Sequence, residues 1–126
     1  MKKILLAEDD SFLIEIYSTK LKEASFKVEI AVNGEETLKK LQEEKPDLLL
    51  LDIVLPQIDG WEILKRVKEN PALNNLKIIA FSNLGQKDDV EKGLKLGATK
   101  YLIKANYTPS QVVKEVKEVL EQAESM

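Results

Sequence analysis

Pro46-Asp47-Leu48-Leu49-Leu50-Leu51-Asp52-Ile53-Val54-Leu55-Pro56 is the stretch on which the reading of this chain turns. The four leucines are continuous rather than alternating, so an edge strand with one wet face does not fit them. The run is too short for a helix and opens on a Pro-Asp turn signal. Together these features predict a short strand covered on both faces. The run ends on Asp52, a carboxylate set between the leucines and a second apolar triplet, Ile53-Val54-Leu55. An ordinary solvated surface does not explain a charge in that position.

Similar short runs recur on either side. Ile4-Leu5-Leu6-Ala7, Val28 to Val32, Ile78-Ile79-Ala80-Phe81 and Tyr101-Leu102-Ile103 read as strands 1, 2, 4 and 5, with Leu48–Leu51 as strand 3. Helical spacing fills the gaps. Leu13, Ile16, Tyr17, Leu21 and Ala24 share one face; Leu38 and Leu41 mark a second helix with Asn33 as its N-cap. Trp61, Leu64 and Val67 mark a third, which must stop near Asn70-Pro71. Val90, Gly93 and Leu94 mark a fourth, with Gly97 placed as a C-terminal cap. Val112, Val113, Val116, Val119 and Leu120 mark a fifth, opened by Thr108-Pro109-Ser110-Gln111 at capping-box spacing. The alternation βαβαβαβαβα predicts an α/β fold, a five-stranded parallel sheet doubly wound with helices on both faces. Residues 1–126 read as one domain, and the tail Glu121 to Met126 is too short for another module.

Composition narrows the chemistry. Cysteine and histidine are both absent from the 126 residues, which excludes disulfides, thiolate or imidazole metal sites and Ser-His-Asp catalysis. The net charge is −3, and Arg66 is the single arginine, so neither charge nor guanidinium forks favour direct nucleic-acid binding. The apolar run after Lys2-Lys3 is cut off by Glu8-Asp9-Asp10, too soon for a signal peptide, and no stretch is long enough for a membrane span. A cytoplasmic protein without membrane contact is expected.

Ligands of open α/β sheets sit beyond the carboxyl ends of the strands, where the strand order reverses. Those ends carry Glu8-Asp9-Asp10, Asp52, Ser82-Asn83 and Lys104. In the order 2-1-3-4-5, which is borrowed from known sheets of this kind, Glu8, Asp9 and Asp52 converge with Ser82 and Lys104 beside them. Three close carboxylates repel unless a cation intervenes. A hard divalent ion suits them, and Mg²⁺ takes one or two carboxylates together with phosphate oxygens. With a lysine and a hydroxyl added, the set describes a phosphoryl site, in which a carboxylate can itself be the nucleophile. Each residue has a plainer reading as well. Asp9 or Asp10 caps the first helix, Glu8 ends a strand in water, Ser82 caps a helix, and Lys104 is a surface lysine.

With these residues in view, the chain resembles a response-regulator receiver domain of the chemotaxis-regulator-like type over essentially its whole length. The matching features are Glu8-Asp9, the spacing Asp52-x-x-x-Pro56-x-x-Asp59-Gly60, Ser82, Tyr101 and Lys104. The resemblance implies the flavodoxin-like order 2-1-3-4-5 and a set of roles. Asp52 would accept the phosphoryl group. Asp9, Asp52 and the main-chain carbonyl of Val54 would ligate Mg²⁺, or Mn²⁺ as a substitute, with Glu8 acting through a water. Lys104 and Ser82 would hold phosphoryl oxygens. Tyr101 would change rotamer as Ser82 moves, although a static half-buried strand tyrosine reads equally well. Pro56, Asp59 and Gly60 would shape the loop. The phosphoryl donor would be a histidine kinase or phosphotransfer protein, since the chain has no histidine. Output would run through a downstream protein bound on the surface of helix 4, strand 5 and helix 5, with the chain a monomer or a weak dimer. The protein would not be a turnover enzyme.

Four positions depart from the family pattern. Ala105 follows Lys104 where proline is usual, so that peptide is either trans or a strained cis bond. Ser82 stands where threonine is common. Val54 and Leu84 stand where relatives often carry side chains that handle the hydrolytic water, which predicts slow self-dephosphorylation. The alternative function is a receiver-like interaction scaffold that is never phosphorylated. Loss of Asp52, Asp9 or Lys104 would favour it, and all three are present. Aspartate-nucleophile phosphatases usually need a second acid at position 54, and P-loop or flavin proteins need a glycine loop after strand 1; both features are missing.

Overall fold

Each of the four sequence-predicted gaps between strands holds a helix, and a fifth helix closes the chain. A computed structural model describes residues 1–124, and within them runs β1 (Lys3–Ala7), α1 (Ser11–Glu23), β2 (Lys27–Ala31), α2 (Gly34–Glu43), β3 (Leu48–Leu51) and α3 (Gly60–Glu69). Then follow β4 (Lys77–Ser82), α4 (Lys87–Lys95), β5 (Lys100–Ile103), a 3-10 turn (Lys104–Asn106) and α5 (Pro109–Glu124). The strands form one parallel sheet in the order β2-β1-β3-β4-β5. The expectation for the tail lies partly outside the described residues: α5 extends through Glu124, and Ser125 and Met126 are not described.

Alternation along the strands divides the core into two layers. Leu5, Ala7, Leu49, Leu51, Ile78 and Ala80 face Leu41, Ile63, Leu64 and Val67 of α2 and α3. Ile4, Leu6, Leu48, Leu50, Ile79, Phe81 and Leu102 face Tyr17 and Leu21 of α1 and Val112, Val116 and Val119 of α5. All four leucines of β3 are 0% exposed, which is why this strand reads as an unbroken apolar run. The edge strand β2 is only partly covered.

Several boundaries fall a residue away from the apolar pattern. β1, β4 and β5 begin at Lys3, Lys77 and Lys100, one residue before the apolar run, and β2 covers Lys27–Ala31 and leaves Val32 exposed. A strand is defined by its backbone ladder, which a lysine can join whether its side chain is partly exposed, as at Lys77 and Lys100, or buried, as at Lys3, whose ammonium pairs with Glu29 and Glu44. The caps follow local chemistry. Asn33 Oδ1 accepts from Glu36 N at 2.8 Å, Asp59 Oδ1 accepts from Glu62 N at 3.0 Å, and Thr108 and Gln111 exchange reciprocal bonds at 2.8 and 3.2 Å. α3 stops at Glu69, ahead of Pro71, and Gly97 takes a positive φ of 116° after α4. On α4, Gly93 is buried, whereas Leu94, predicted on the same face, is 47% exposed.

The carboxyl ends of β1, β3, β4 and β5 lie close to level. Ala7 registers with Leu51, Leu51 with Ala80 and Ser82 with Ile103. The ladder runs one residue further, with Glu8 N donating to Ala31 O and Asp52 N to Ala7 O, both at 3.0 Å. Glu8 and Asp52 therefore emerge side by side at the point where the strand order reverses.

Candidate functional site

Glu8 and Asp52 leave the sheet from neighbouring strands and remain buried, 1% and 6% exposed. Lys104 arrives from β5 across the cleft. Its ammonium donates to Glu8 Oε1 at 2.6 Å and to Asp52 Oδ2 at 2.9 Å. The plainer readings of Glu8 as a solvated strand end and Lys104 as a surface lysine are both overturned by this pair. The Phe81 ring lies beneath, with its centroid 5.5 Å from the ammonium, and Tyr17 meets Phe81 edge-on at 5.0 Å. The second oxygens are bonded too. Asp10 N donates to Glu8 Oε2 at 3.1 Å, and Val54 N donates to Asp52 Oδ1 at 3.1 Å.

The helix-cap alternative resolves to Asp10, whose Oδ1 accepts from Phe12 N and Leu13 N at 2.9 and 3.2 Å. Asp9 is exposed and free of that duty. One carboxylate oxygen from each of Glu8, Asp9 and Asp52 lies within 4.8 Å of the others. Three oxygens at that separation fit around one hard cation, and two of them already tolerate a positive charge in the form of Lys104. Burial pushes the Glu8 carboxyl above the ordinary glutamate range, against the pull of Lys104 and the Asp10 N–H, and the charge of Asp52 adds to the rise. Burial works against the charge of Lys104, but its bonds to Glu8 and Asp52 outweigh that and raise its pKa.

Ser82 is fully buried at the end of β4, and its Oγ accepts from Leu84 N at 3.2 Å instead of capping α4, whose N-cap is Gln86. Tyr101 is half-buried, and its hydroxyl donates to Leu84 O at 2.6 Å. Burial raises the Tyr101 pKa, Asp89 adds to this, and the Ser82 hydroxyl opposes it. No peptide among the described residues is cis, so the Lys104-Ala105 bond is trans and the 3-10 turn carries Lys104 into the cleft.

Glu8, Asp9, Asp52, Val54, Ser82 and Lys104 thus line one open cleft of about 330 Å³, together with Asp10, Leu13 and Asn83. Tyr101 is absent from that lining and meets the site at its edge, through Ser82 and Leu84. Leu84 itself packs against the core layer under α2 and α3, while Val54 is 58% exposed at the cleft. The Phe81 platform was missed in the sequence. Its one signal is an aromatic residue in the strand position before Ser82.

This fold and site define a class: a flavodoxin-like α/β domain with a lysine-bridged carboxylate cluster at its topological switch point. The family model described as the response regulator receiver domain matches residues 4–117, and the chain belongs to that family. Receiver domains are the phosphoacceptor signalling modules of two-component systems; they bind Mg²⁺ at an acidic pocket and accept phosphate from histidine kinases. The chain is 34% identical to the alkaline phosphatase synthesis transcriptional regulatory protein PhoP of Bacillus subtilis, over 98% of this chain and 50% of that protein. It is 33% identical to the phosphate regulon transcriptional regulatory protein PhoB of Rhizobium meliloti, over 98% of this chain and 54% of that one. It therefore spans about half the length of these curated relatives. A CheY-like receiver domain protein from Methanospirillum hungatei superposes with a TM-score of 0.90 at 28% identity, covering 99% of this chain and 98% of the other. No helix among the described residues is long and apolar enough to cross a membrane.

Proposed function

We propose that this chain accepts a phosphoryl group on Asp52 in a Mg²⁺-dependent reaction and relays the change through the surface of α4, β5 and α5. One observation carries the proposal: the buried Asp52 carboxylate has an ammonium at 2.9 Å and carboxylate oxygens of Glu8 and Asp9 within 4.8 Å. That is an arrangement for one anion that must both hold a cation and receive a charged group.

Asp9, Asp52, the Val54 carbonyl and, through water, Glu8 would hold the ion. When bound, Mg²⁺ (or Mn²⁺) neutralises the oxygens of the incoming phosphoryl group. An Asp52 carboxylate oxygen attacks phosphorus. The P–N bond of a donor phosphohistidine breaks, its electron pair stays on the imidazole nitrogen, and an aspartyl phosphate results. Lys104 keeps its proton, releases Asp52 and pairs with a phosphoryl oxygen. Ser82 donates its hydroxyl proton to another. Turning towards that oxygen loosens the Leu84 N–H bond to Ser82, and Leu84 in turn holds the Tyr101 hydroxyl. Phosphorylation adds nearly two negative charges, and it shifts the population only as far as it binds one arrangement better than the other. The donor is a histidine kinase or phosphotransfer protein and the reader is a protein partner.

Intact mass after incubation with acetyl phosphate or phosphoramidate tests the reading. One phosphoryl group should be gained in Mg²⁺, none in chelator and none by Asp52→Ala. If small donors and a panel of kinases all leave a folded, Mg²⁺-binding protein unmodified, the phosphoacceptor reading falls and an interaction scaffold takes its place.

A further inference from the structure

Position 93 of α4 has no side chain, and the space beside it is already filled. A Cβ at Gly93 would lie 2.6 Å from Cδ2 and 2.9 Å from Cε2 of Tyr101, distances that carbon pairs do not tolerate. It would also lie 3.7 Å from Cζ3 of Trp61, an ordinary contact. The aromatic ring of Tyr101 moves only as a rigid unit, and its far end is tethered by the hydroxyl bond to Leu84 O at 2.6 Å. Trp61 is also held, with the Lys92 ammonium 4.4 Å from the centroid of its ring. The ring of Tyr101 therefore rests against bare helix backbone, with Trp61 of α3 beside it.

We propose that Gly93 positions Tyr101: the missing side chain is a seat for the tyrosine ring, and occupation of that seat latches α4 to the loop that carries Ser82 and Leu84. The latch has three links, each visible in the structure. Ser82 Oγ holds Leu84 N, Leu84 O holds the Tyr101 hydroxyl, and the Tyr101 ring fills the gap over Gly93. A ring that leaves the seat opens a void next to Trp61, and a close-packed region answers a void by moving its walls. α4 is the wall with the least to hold it, since its one buried residue is Gly93 itself. Movement of the ring is thereby converted into movement of α4. The regulatory consequence rests on the proposed role of Tyr101 as the switch residue; the seat itself does not.

The test uses the full chain with Gly93→Ala, Tyr101→Ala and the double variant. In NMR spectra of the wild type, Tyr101 ring protons should show NOEs to Gly93 and Trp61. Gly93→Ala should lose the NOEs to Trp61 and move the Leu84 amide resonance towards its position in Tyr101→Ala. In the Tyr101→Ala background the added alanine should leave Leu84 where it is. An alanine that keeps the ring NOEs, or that shifts Leu84 equally without the ring, overturns the proposal. If Gly93→Ala does not fold, removal of the ring in the double variant should restore folding, and failure to do so overturns the proposal too. For the latch, emission of the single tryptophan is followed as beryllofluoride and Mg²⁺ are added. The wild type should respond and Gly93→Ala should lose at least half of that response; a full response in Gly93→Ala overturns the latch. A silent wild type overturns the latch where intact mass shows the phosphoryl gain and the phosphoryl reading where it does not, while the NOEs still decide the seat.

Discussion

At the scale of the residue, Lys104 holds two buried anions apart, and its removal should separate stability from chemistry. Lys104→Met leaves Glu8 and Asp52 facing each other without a cation. Breaking a buried pair in this way costs roughly 3 kcal/mol, and an added Mg²⁺ should restore part of it by taking the place of the ammonium. Phosphoryl acceptance from acetyl phosphate should fall by about tenfold or more, the equivalent of ~1.4 kcal/mol in the barrier. Urea denaturation with and without Mg²⁺, beside initial rates by intact mass, reads both quantities; a variant as stable as the wild type in chelator would contradict the role given to the pair. Val54 governs the reverse reaction. Its side chain is exposed at the cleft and has no atom to orient a water, while Leu84 is turned into the core. The aspartyl phosphate should therefore decay slowly, and Val54→Asn should shorten its lifetime several-fold; an unchanged decay curve would remove Val54 from the hydrolytic step. Asp52 is legible in the sequence because a charge interrupts an apolar run. Glu8 is placed at the site by strand order and resemblance, but its burial is not legible, because Glu8-Asp9-Asp10 looks like any solvated strand end and the lysine that pairs with it is 96 residues away.

At the scale of the element, local caps and the strand-helix alternation were readable, the strand order came with the resemblance, and helix tilt was not readable. Asn33, Asp59 and the Thr108–Gln111 box act on neighbours three residues away, so local sequence specifies them. Thr108→Ala should cost about 1 kcal/mol, the usual worth of such a cap, seen as a lower urea midpoint with an unchanged slope. The same loss with a changed slope would mean that α5 frays as a whole. Periodicity places Val90, Gly93 and Leu94 on one face of α4, but the structure turns that face so that Gly93 meets Tyr101 and Leu94 remains exposed. The pattern registers a glycine there as a weak apolar position. It cannot register that a tyrosine from β5 uses the gap. The lysines that open β1, β4 and β5 escaped the apolar pattern for a related reason, since hydrogen bonding along a strand does not depend on which side chains it carries.

At the scale of the molecule, two apolar layers stabilise a sheet whose carboxyl edge gathers three anions and one cation. Such an edge opposes folding unless something neutral or positive meets it, and pH and Mg²⁺ supply those two remedies in opposite directions. Because burial raises the Glu8 pKa, the folded chain holds that proton more tightly than the unfolded chain does. The stability this contributes is complete below the ordinary glutamate value of 4.5 and is lost as pH rises through the raised value. Mg²⁺ needs the carboxylates ionised, so its stabilisation grows over that same interval. At a concentration a hundred times its dissociation constant, the ion adds about 2.7 kcal/mol. Thermal midpoints measured in chelator and in Mg²⁺ should therefore separate progressively as pH is raised from 4.5. Glu8→Gln should remove the Glu8 part of the decline in chelator and lessen the separation, because a neutral amide neither binds the proton nor repels Asp52. Parallel curves for the wild type would mean that the cluster is not where Mg²⁺ acts. An unchanged slope in Glu8→Gln would place the buried proton on another carboxylate.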